Sequence, residues 1–457
     1  MTDETRPDEY SFELDKDTVD AILAATDAGD AERLAALMDP LHAADIADLL
    51  EQVSYEERQD ILKLFAPGID GEILSEIDES IREEVIQTLS PQVLSEAVRE
   101  LESDDVVDII EDLDDAQQQQ ILNSLDAGDR AAVENALNYP EYSAGRMMQR
   151  EVVVGPEHWT VGEAIDFMRA HDDLPDEFYH MVLVDPKYRP IGYVTLGRIL
   201  GHKRDTPLRD LTEDSFRTIE VTEDEGDVAY SFNQYHLISA PVVDTDGKLV
   251  GIITIDDAMA VLDEEHEEDI LRLAGVSDES RLSDKVIETT KRRFPWLAVN
   301  LVTAILASLV IAQFEETIAQ FVALAVLMPI VASMGGNAGT QSLTVAVRSI
   351  ATKDLTGSNV WRVIRRETLV GLINGLIFAV VMGIVGVIWF GSPVLGLVIA
   401  AAMVINLVVA GLAGTMIPVV LDRLNIDPAL ASGAFVTTVT DVVGFLAFLG
   451  LAALVLL

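Results

Sequence analysis

Asp441 is the residue whose type and position most constrain its chemistry. It is the only charge in ALASGAFVTTVTDVVGFLAFLGLAALVLL (429–457), a stretch long enough to cross a bilayer. A carboxylate at the centre of a membrane costs roughly 2.5–3.5 kcal/mol on insertion scales, so it is retained where it faces water, a partner or an ion. It is read here as part of an ion or proton pathway, the alternative being a protonated Asp bonded to a neighbouring helix. A second membrane-depth signal is PIVASMGGNAGTQSLTVAV (329–347). Pro329 and the run Gly335-Gly336-Asn337 are expected to break or kink a helix, and freed carbonyls at that depth can line a cavity and coordinate ions. Small-residue helix packing is the competing explanation. The string lacks the Gly-Lys-Ser/Thr ending of a phosphate loop.

Other carboxylates crowd the start of 261–296, where Glu264, Glu265, Glu267, Glu268 and Asp269 fall within one helical pattern. Like charges at this density destabilise a helix unless cations neutralise them, although acids are favoured near its N-terminus. Residues 1–290 carry 22 basic and 71 acidic side chains, against 9 and 7 in 291–457, so the soluble part holds all of the net −47. That field repels nucleic acid and anionic lipid and attracts cations. Eight lysines against 23 arginines also fit a surface adapted to a salt-rich cytosol. Cysteine is absent, which excludes disulfides, thiolate metal sites and thiol nucleophiles. None of the 7 histidines lies in an apolar span, so an imidazole-rich transition-metal site is disfavoured there.

Four further apolar stretches satisfy the rule of about 20 residues per crossing, near 294–314, 318–347, 368–390 and 394–421. The polar start MTDETRPDEY is no export signal. Lys291, Arg292 and Arg293, then Arg348, Lys353, Arg362, Arg365 and Arg366, then Arg423 share one side only if the N-terminal part is cytoplasmic and Leu457 ends outside. Before the spans, residues 15–137 read as short amphipathic helices, and 41–65 is loosely similar to 103–125, as in a small α-solenoid. A clearer repeat follows. MVLVDPKYRPIGYVTLGRIL (181–200) aligns without a gap on APVVDTDGKLVGIITIDDAM (240–259), each reading as strand, turn, strand, helix. This resembles a tandem pair of cystathionine-β-synthase (CBS) domains. In that family a Gly-x-x-Thr-x-x-Asp stretch contacts an adenine nucleotide; Thr254 and Asp257 match it, whereas the first copy has Thr195 followed by Arg198.

The combination resembles the MgtE magnesium transporter family: a helical acidic N-domain, a CBS pair, an acidic connecting helix and five spans. The motifs are Pro329-Gly335-Gly336-Asn337-Gly339-Gln341 and Thr437-Asp441-Gly444-Phe445. The resemblance implies a multidomain fold with a solenoid N-domain (1–138), CBS domains at 139–206 and 207–262, a connecting helix (263–293) and an all-α, five-helix pore domain (294–457). It implies a homodimeric Mg2+-selective channel in the plasma membrane, closed by cytosolic Mg2+. Asp441 looks like the pore carboxylate, with Asn337 and Thr437 beside it and Asp427 as a further membrane-side metal position. Mg2+ keeps several waters and is held by one or two carboxylates, which suits one Asp441 per subunit of a dimer. The sensor acids expected are Asp105, Asp108, Asp224, Asp257, Glu265, Glu268 and Asp269. Bridging ions would need to favour the closed state by about 5.5 kcal/mol to switch it fully. ATP is the adenine nucleotide expected at the CBS pair, through Thr195, Thr254 and Asp257. No enzyme motif is present. A proton-coupled divalent cation carrier and a CBS-based membrane sensor without transport are the rival readings.

Overall fold

The computed structural model describes residues 14–99, 101–111, 113–171, 174–175, 178–213, 216–276 and 286–456. The described chain forms two compact units, one reaching Glu265 and the other built from His266 onward.

The first unit opens with ten helices: α1 (Lys16–Asp27), α2 (Ala31–Met38), α3 (Ala43–Gln52), α4 (Tyr55–Phe65), α5 (Gly71–Glu76), α6 (Glu79–Thr88), α7 (Pro91–Val98), α8 (Ser103–Glu111), α9 (Asp115–Leu122) and α10 (Ala127–Ala136). Their starts at Ala31, Ala43, Tyr55, Glu79, Pro91, Ser103, Asp115 and Ala127 are 12 residues apart, apart from one step of twice that length. That step holds the 3-10 turn Ala66–Gly68 and the offset helix α5. Each unit is one short helix plus a capped turn. Asp30, His42, Ser54, Ser90, Asp114 and Asp126 each accept a hydrogen bond from the first turn they cap. Part of the acidic excess is therefore capping, which satisfies orphan N–H groups and favours the helix dipole.

The solenoid expectation holds, with a finer period than the likeness of 41–65 to 103–125 suggested. Alternate helices pack on one another, α3 on α5, α4 on α6, α5 on α7, α7 on α9 and α8 on α10. Ile22, Leu34, Met38, Leu50, Ile61 and Leu74 are wholly buried between them. Two buried arginines tie alternate helices. Arg58 donates to the Leu50 carbonyl at 2.7 Å and pairs with Glu84 at 3.1 Å. Two periods later Arg82 donates to the Ile77 carbonyl and pairs with Asp108 at 2.8 Å.

The CBS pair is two copies of one three-stranded sheet. The first holds β1 (Val154–Pro156), α12 (Val161–Ala170), β2 (His180–Val184) and β3 (Pro190–Thr195), after a short helix α11 (Ala144–Met147), and ends in α13 (Leu196–Gly201). The second holds β4 (Ile219–Glu220), α14 (Glu225–Tyr235), β5 (Ser239–Val243), β6 (Leu249–Thr254) and α15 (Ile255–Leu273). β1 runs parallel to β2 and β2 antiparallel to β3, as β4, β5 and β6 do, with the register of His180 on Thr195 repeated by Ser239 on Thr254. His180 and Ser239, equivalent positions in the repeat, meet each other at 2.5 Å. Asp185 and Asp244 hold matching turns: each accepts two backbone N–H groups, and Tyr188 and Gly247 take the left-handed conformation the turn needs. The segment before β1 pairs with the second copy, Gln149 exchanging two hydrogen bonds with Ile252.

The connecting segment is helical from Ile255, so it is fused to the second CBS domain. It ends at Leu273 in a Schellman turn, with Gly275 left-handed and the Val276 N–H bonded to the Leu271 carbonyl. This helix is shorter than one running from 263 to 293; residues 277–285 of that expectation lie outside the described residues.

The second unit contains α16 (Val286–Ala312), α17 (Glu315–Gln320), α18 (Ala323–Ala351), α19 (Val360–Phe390), α20 (Pro393–Arg423) and α21 (Pro428–Leu456). All but α17 are long and apolar enough to cross a membrane. One expectation is corrected. α18 is unbroken through Pro329 and Gly335-Gly336-Asn337. The glycines serve contact rather than breakage: a Cβ on Gly335 would overlap Asn406 of α20, and one on Gly339 would press on Val436 of α21 at 2.6 Å. Close helix approach of this kind offsets the roughly 1 kcal/mol that each helical glycine costs.

The buried ties of the solenoid yield a test. Arg58 is 3% exposed, so Arg58→Ala leaves the Leu50 carbonyl without this donor and Glu84 with only the Gln59 amide, and should cost about 1–3 kcal/mol. Denaturant unfolding followed by circular dichroism reads this, and a loss below about 1 kcal/mol, the scale of an exposed pair, would refute it.

Candidate ion pathway and metal-binding acids

Asp441 lies midway along α21, half-buried, and has no hydrogen-bond or ion-pair partner among the described residues. Thr437, one turn earlier, spends its hydroxyl proton on the Gly433 and Ala434 carbonyls, leaving its oxygen able to accept. Asn337 is exposed on α18, with its amide 3.4 Å from Ser333 Oγ. Gly335 and Gly339, on the other face of that helix, are buried against α20 and α21. The packed side of α18 is thus set by glycines, and Asn337 is left free of the core.

Asp427 is differently placed. It precedes α21, where Oδ1 accepts from the Ala429 N–H at 2.7 Å and Oδ2 pairs with Arg272 Nη1 at 3.0 Å. Arg272 also pairs with Glu268 at 2.8 Å. Asp269 is pushed above the ordinary carboxylate range by burial and by the Asp427 charge, with Arg272 opposing. An arginine therefore stands among three of the candidate acids.

The soluble unit brings its acids together in two groups. In the first, Asp105 is pushed up to about 6 by burial and then by Glu102 and Asp108, and Asp257 to about 7 by burial, with Asp256 and Asp105 adding to it. Asp104, 8% exposed, is raised well above the ordinary carboxylate range by burial and then by Asp257. In the second, Glu225 is pushed up to about 8 by burial, then by Glu264, Asp224, Glu111 and Glu265. Asp224 also caps α14 through the Gly226 N–H, and the Glu265 carboxylate stands beside Gly226. Asp104 and Glu225 were not singled out from sequence. Asp108 pairs through Oδ2 with Arg82 at 2.8 Å. Among the described residues no three acids or histidines converge tightly enough to hold a bare ion.

The nucleotide residues have local structural work. Thr195 caps α13 by accepting from the Arg198 N–H, and Thr254 donates to Asp257 at 2.8 Å. A cleft of about 330 Å³ lies nearby in sequence, lined by Phe216, Arg217, Glu223, Ser231 and Tyr235, with the Arg217 guanidinium 3.5 Å above the Tyr235 ring. Thr195, Thr254 and Asp257 do not line it.

Two residues in the membrane-type helices also carried no sequence signal of their own. Asn406 of α20 is 1% exposed, and Glu367 of α19 is buried and accepts from Ser342 of α18 at 3.2 Å.

The acid groups fix a pH dependence. A carboxyl raised on folding means that the folded chain binds more protons than the unfolded one, so stability falls as pH rises from the ordinary carboxylate range through the folded value. For Asp105, Asp257 and Glu225 that window runs up to about 8. In EDTA at fixed KCl, the unfolding midpoint of the soluble unit should decline between about pH 5 and 8. Asp257→Asn with Glu225→Gln should flatten the decline; an unchanged slope would contradict this account.

The "Divalent cation transporter" family MgtE matches residues 328–451, the MgtE intracellular N domain matches 41–142, and the CBS domain matches 144–205 and 208–264. Magnesium transporter MgtE of Enterococcus faecalis is 34% identical over 318 residues, 70% of each chain. Magnesium transporter MgtE of Bacillus subtilis is 31% identical over 316 residues, covering 69% of this chain and 70% of its own. A crystal structure of the cytosolic domain of the Mg2+ channel MgtE in complex with ATP covers 53% of this chain and 99% of its own, at 29% identity and a TM-score of 0.49. The helical N-domain, the CBS pair and the five apolar helices occur in the order these matches require. The chain belongs to the MgtE family.

Proposed function

We propose that the protein carries Mg2+ into the cell through a path in which Asp441 is the ion-facing carboxylate. The observation that carries this reading is a charge without a partner among the described residues, inside a helix otherwise without any. Such a group is best explained by a cation that spends time beside it. A hydrated Mg2+ needs side-chain oxygens that hydrogen-bond the waters it keeps, and Asp441, Thr437 and Asn337 are of that type. A homodimer would double Asp441 and halve the number of acids each chain must bury. In this reading the soluble unit lies in the cytoplasm and the C-terminus outside, because the basic residues then share the cytoplasmic side.

The soluble unit is proposed to sense Mg2+. Carboxylates held above their ordinary range by burial and then by neighbouring carboxylates have a standing demand for cations, and a divalent ion between two of them relieves both. Asp105 with Asp257, and Asp224 with Glu265, are the expected ligands, joined by Asp104 and Glu225. Glu268, Asp269 and Asp427 form a further group in which a metal would compete with Arg272. An adenine nucleotide such as ATP is proposed for the CBS pair, and the Arg217–Tyr235 cleft has the charge and ring to hold one.

Uptake of Mg2+ by the full chain in liposomes tests the transport reading. Wild-type protein should admit Mg2+ equally with and without a proton gradient, and Asp441→Asn should abolish flux while the unfolding midpoint stays equal or rises, since a desolvated charge has been removed. Wild-type rates in Asp441→Asn would refute the pathway. Flux that requires the proton gradient would replace a channel by a coupled carrier.

A further inference from the structure

Asn406 lies in a run of apolar residues on α20, the most buried of the membrane-type helices. Its amide Nδ2 donates to the Val331 carbonyl of α18 at 2.8 Å, while Oδ1 is buried with no partner. The amide occupies a slot between two glycines on two other helices. A Cβ on Gly335 of α18 would overlap it, and a Cβ on Gly444 of α21 would come within 2.7 Å of Nδ2. Gly335 belongs to the string with Asn337, and Gly444 lies one turn beyond Asp441. One side chain of the helix that carries none of the pathway residues therefore touches both helices that carry them.

The polarity of Asn406 is not explained by packing alone. A leucine would fill a similar volume without a buried orphan acceptor, which costs on the order of 1–3 kcal/mol. What Asn supplies and Leu does not is a flat, short amide that fits between two helix backbones and bonds one of them.

We propose that Asn406 is a positioning residue for transport: it sets the spacing of α18 and α21, and so of Asn337, Thr437 and Asp441, by filling the Gly335–Gly444 slot. It acts through the helices and does not touch the ion. This rests on the transport reading above, and the test separates the two.

The test is allele-specific suppression in full-length protein. Gly335→Ala alone should lower Mg2+ uptake roughly tenfold to a hundredfold, the scale of ångström-sized misplacement of a supporting group. Asn406→Ala alone should lower the maximal rate while leaving the half-saturating Mg2+ concentration unchanged. Because Asn406→Ala empties the slot, adding Gly335→Ala to it should cost nothing further, and Gly444→Ala should behave in the same way. Asn406→Ser provides a second background that keeps a polar group, in which the same lack of additivity is expected. Losses that multiply in both backgrounds would overturn the proposal, as would a changed half-saturating Mg2+ in Asn406→Ala. Thermal unfolding of the same variants reads the slot independently of flux. If wild-type protein does not transport Mg2+, the functional reading fails, while non-additive midpoints would still establish the clamp and additive ones would refute it.

Discussion

The soluble unit is organised around carboxylates that folding places next to one another in surroundings too dry to screen them. Asp104 and Asp257 are buried carboxylates whose charges oppose each other, with Asp105 and Asp256 adding to this, and Glu225 is opposed by Glu264, Asp224 and Glu111. Arginine neutralises only part of this: Arg82 takes Asp108, and Arg146 takes Glu111 at 2.7 Å. The remainder is an electrostatic cost built into the fold. Acids on the outside of the same helices bear no such cost, because water and salt screen them. The excess of acid thus divides into caps, screened surface and crowded groups, and only the crowded groups give the fold a demand for cations.

The membrane-type helices solve the opposite problem, since their backbone must approach closely with almost no charge available. Glycines do this work. α19 and α20 meet where Gly371 faces the Leu407 carbonyl and Gly411 the Glu367 carbonyl, and α20 meets α18 where Gly414 faces the Gly339 carbonyl. α20 is the common partner, touching α18, α19 and α21. Within that dry packing Asp441 is a charge that nothing in the described chain answers, whereas Glu367 is answered by Ser342.

Much of this could be read from residues alone. The five spans and Asp441 were legible because a single charge in an apolar run has no bland background to hide in. The CBS pair was legible because its repeat is gapless, down to the matched turns at Asp185 and Asp244. The 12-residue period of the solenoid was not, because residues as different as Asp, Ser and His serve as its caps and so conceal the recurrence. Of the break or kink expected in α18, the break does not occur, because the contacts its glycines make offset their cost in a helix. Asp104 and Glu225 look like any other acid until burial distinguishes them, and Asn406 is one amide in an apolar helix whose role depends on glycines 71 and 38 residues away.

If crowded carboxylates are the constraint, a divalent cation must do for them what salt cannot. The direct measurement is the unfolding midpoint of the soluble unit in the full-length protein, titrated with Mg2+ and separately with KCl at matched ionic strength near pH 7.5. Millimolar Mg2+ should raise the midpoint well beyond the KCl control, and Asp257→Asn with Glu225→Gln should remove most of the difference. Equal shifts from the two salts would contradict the account and leave these acids as a hydrated surface.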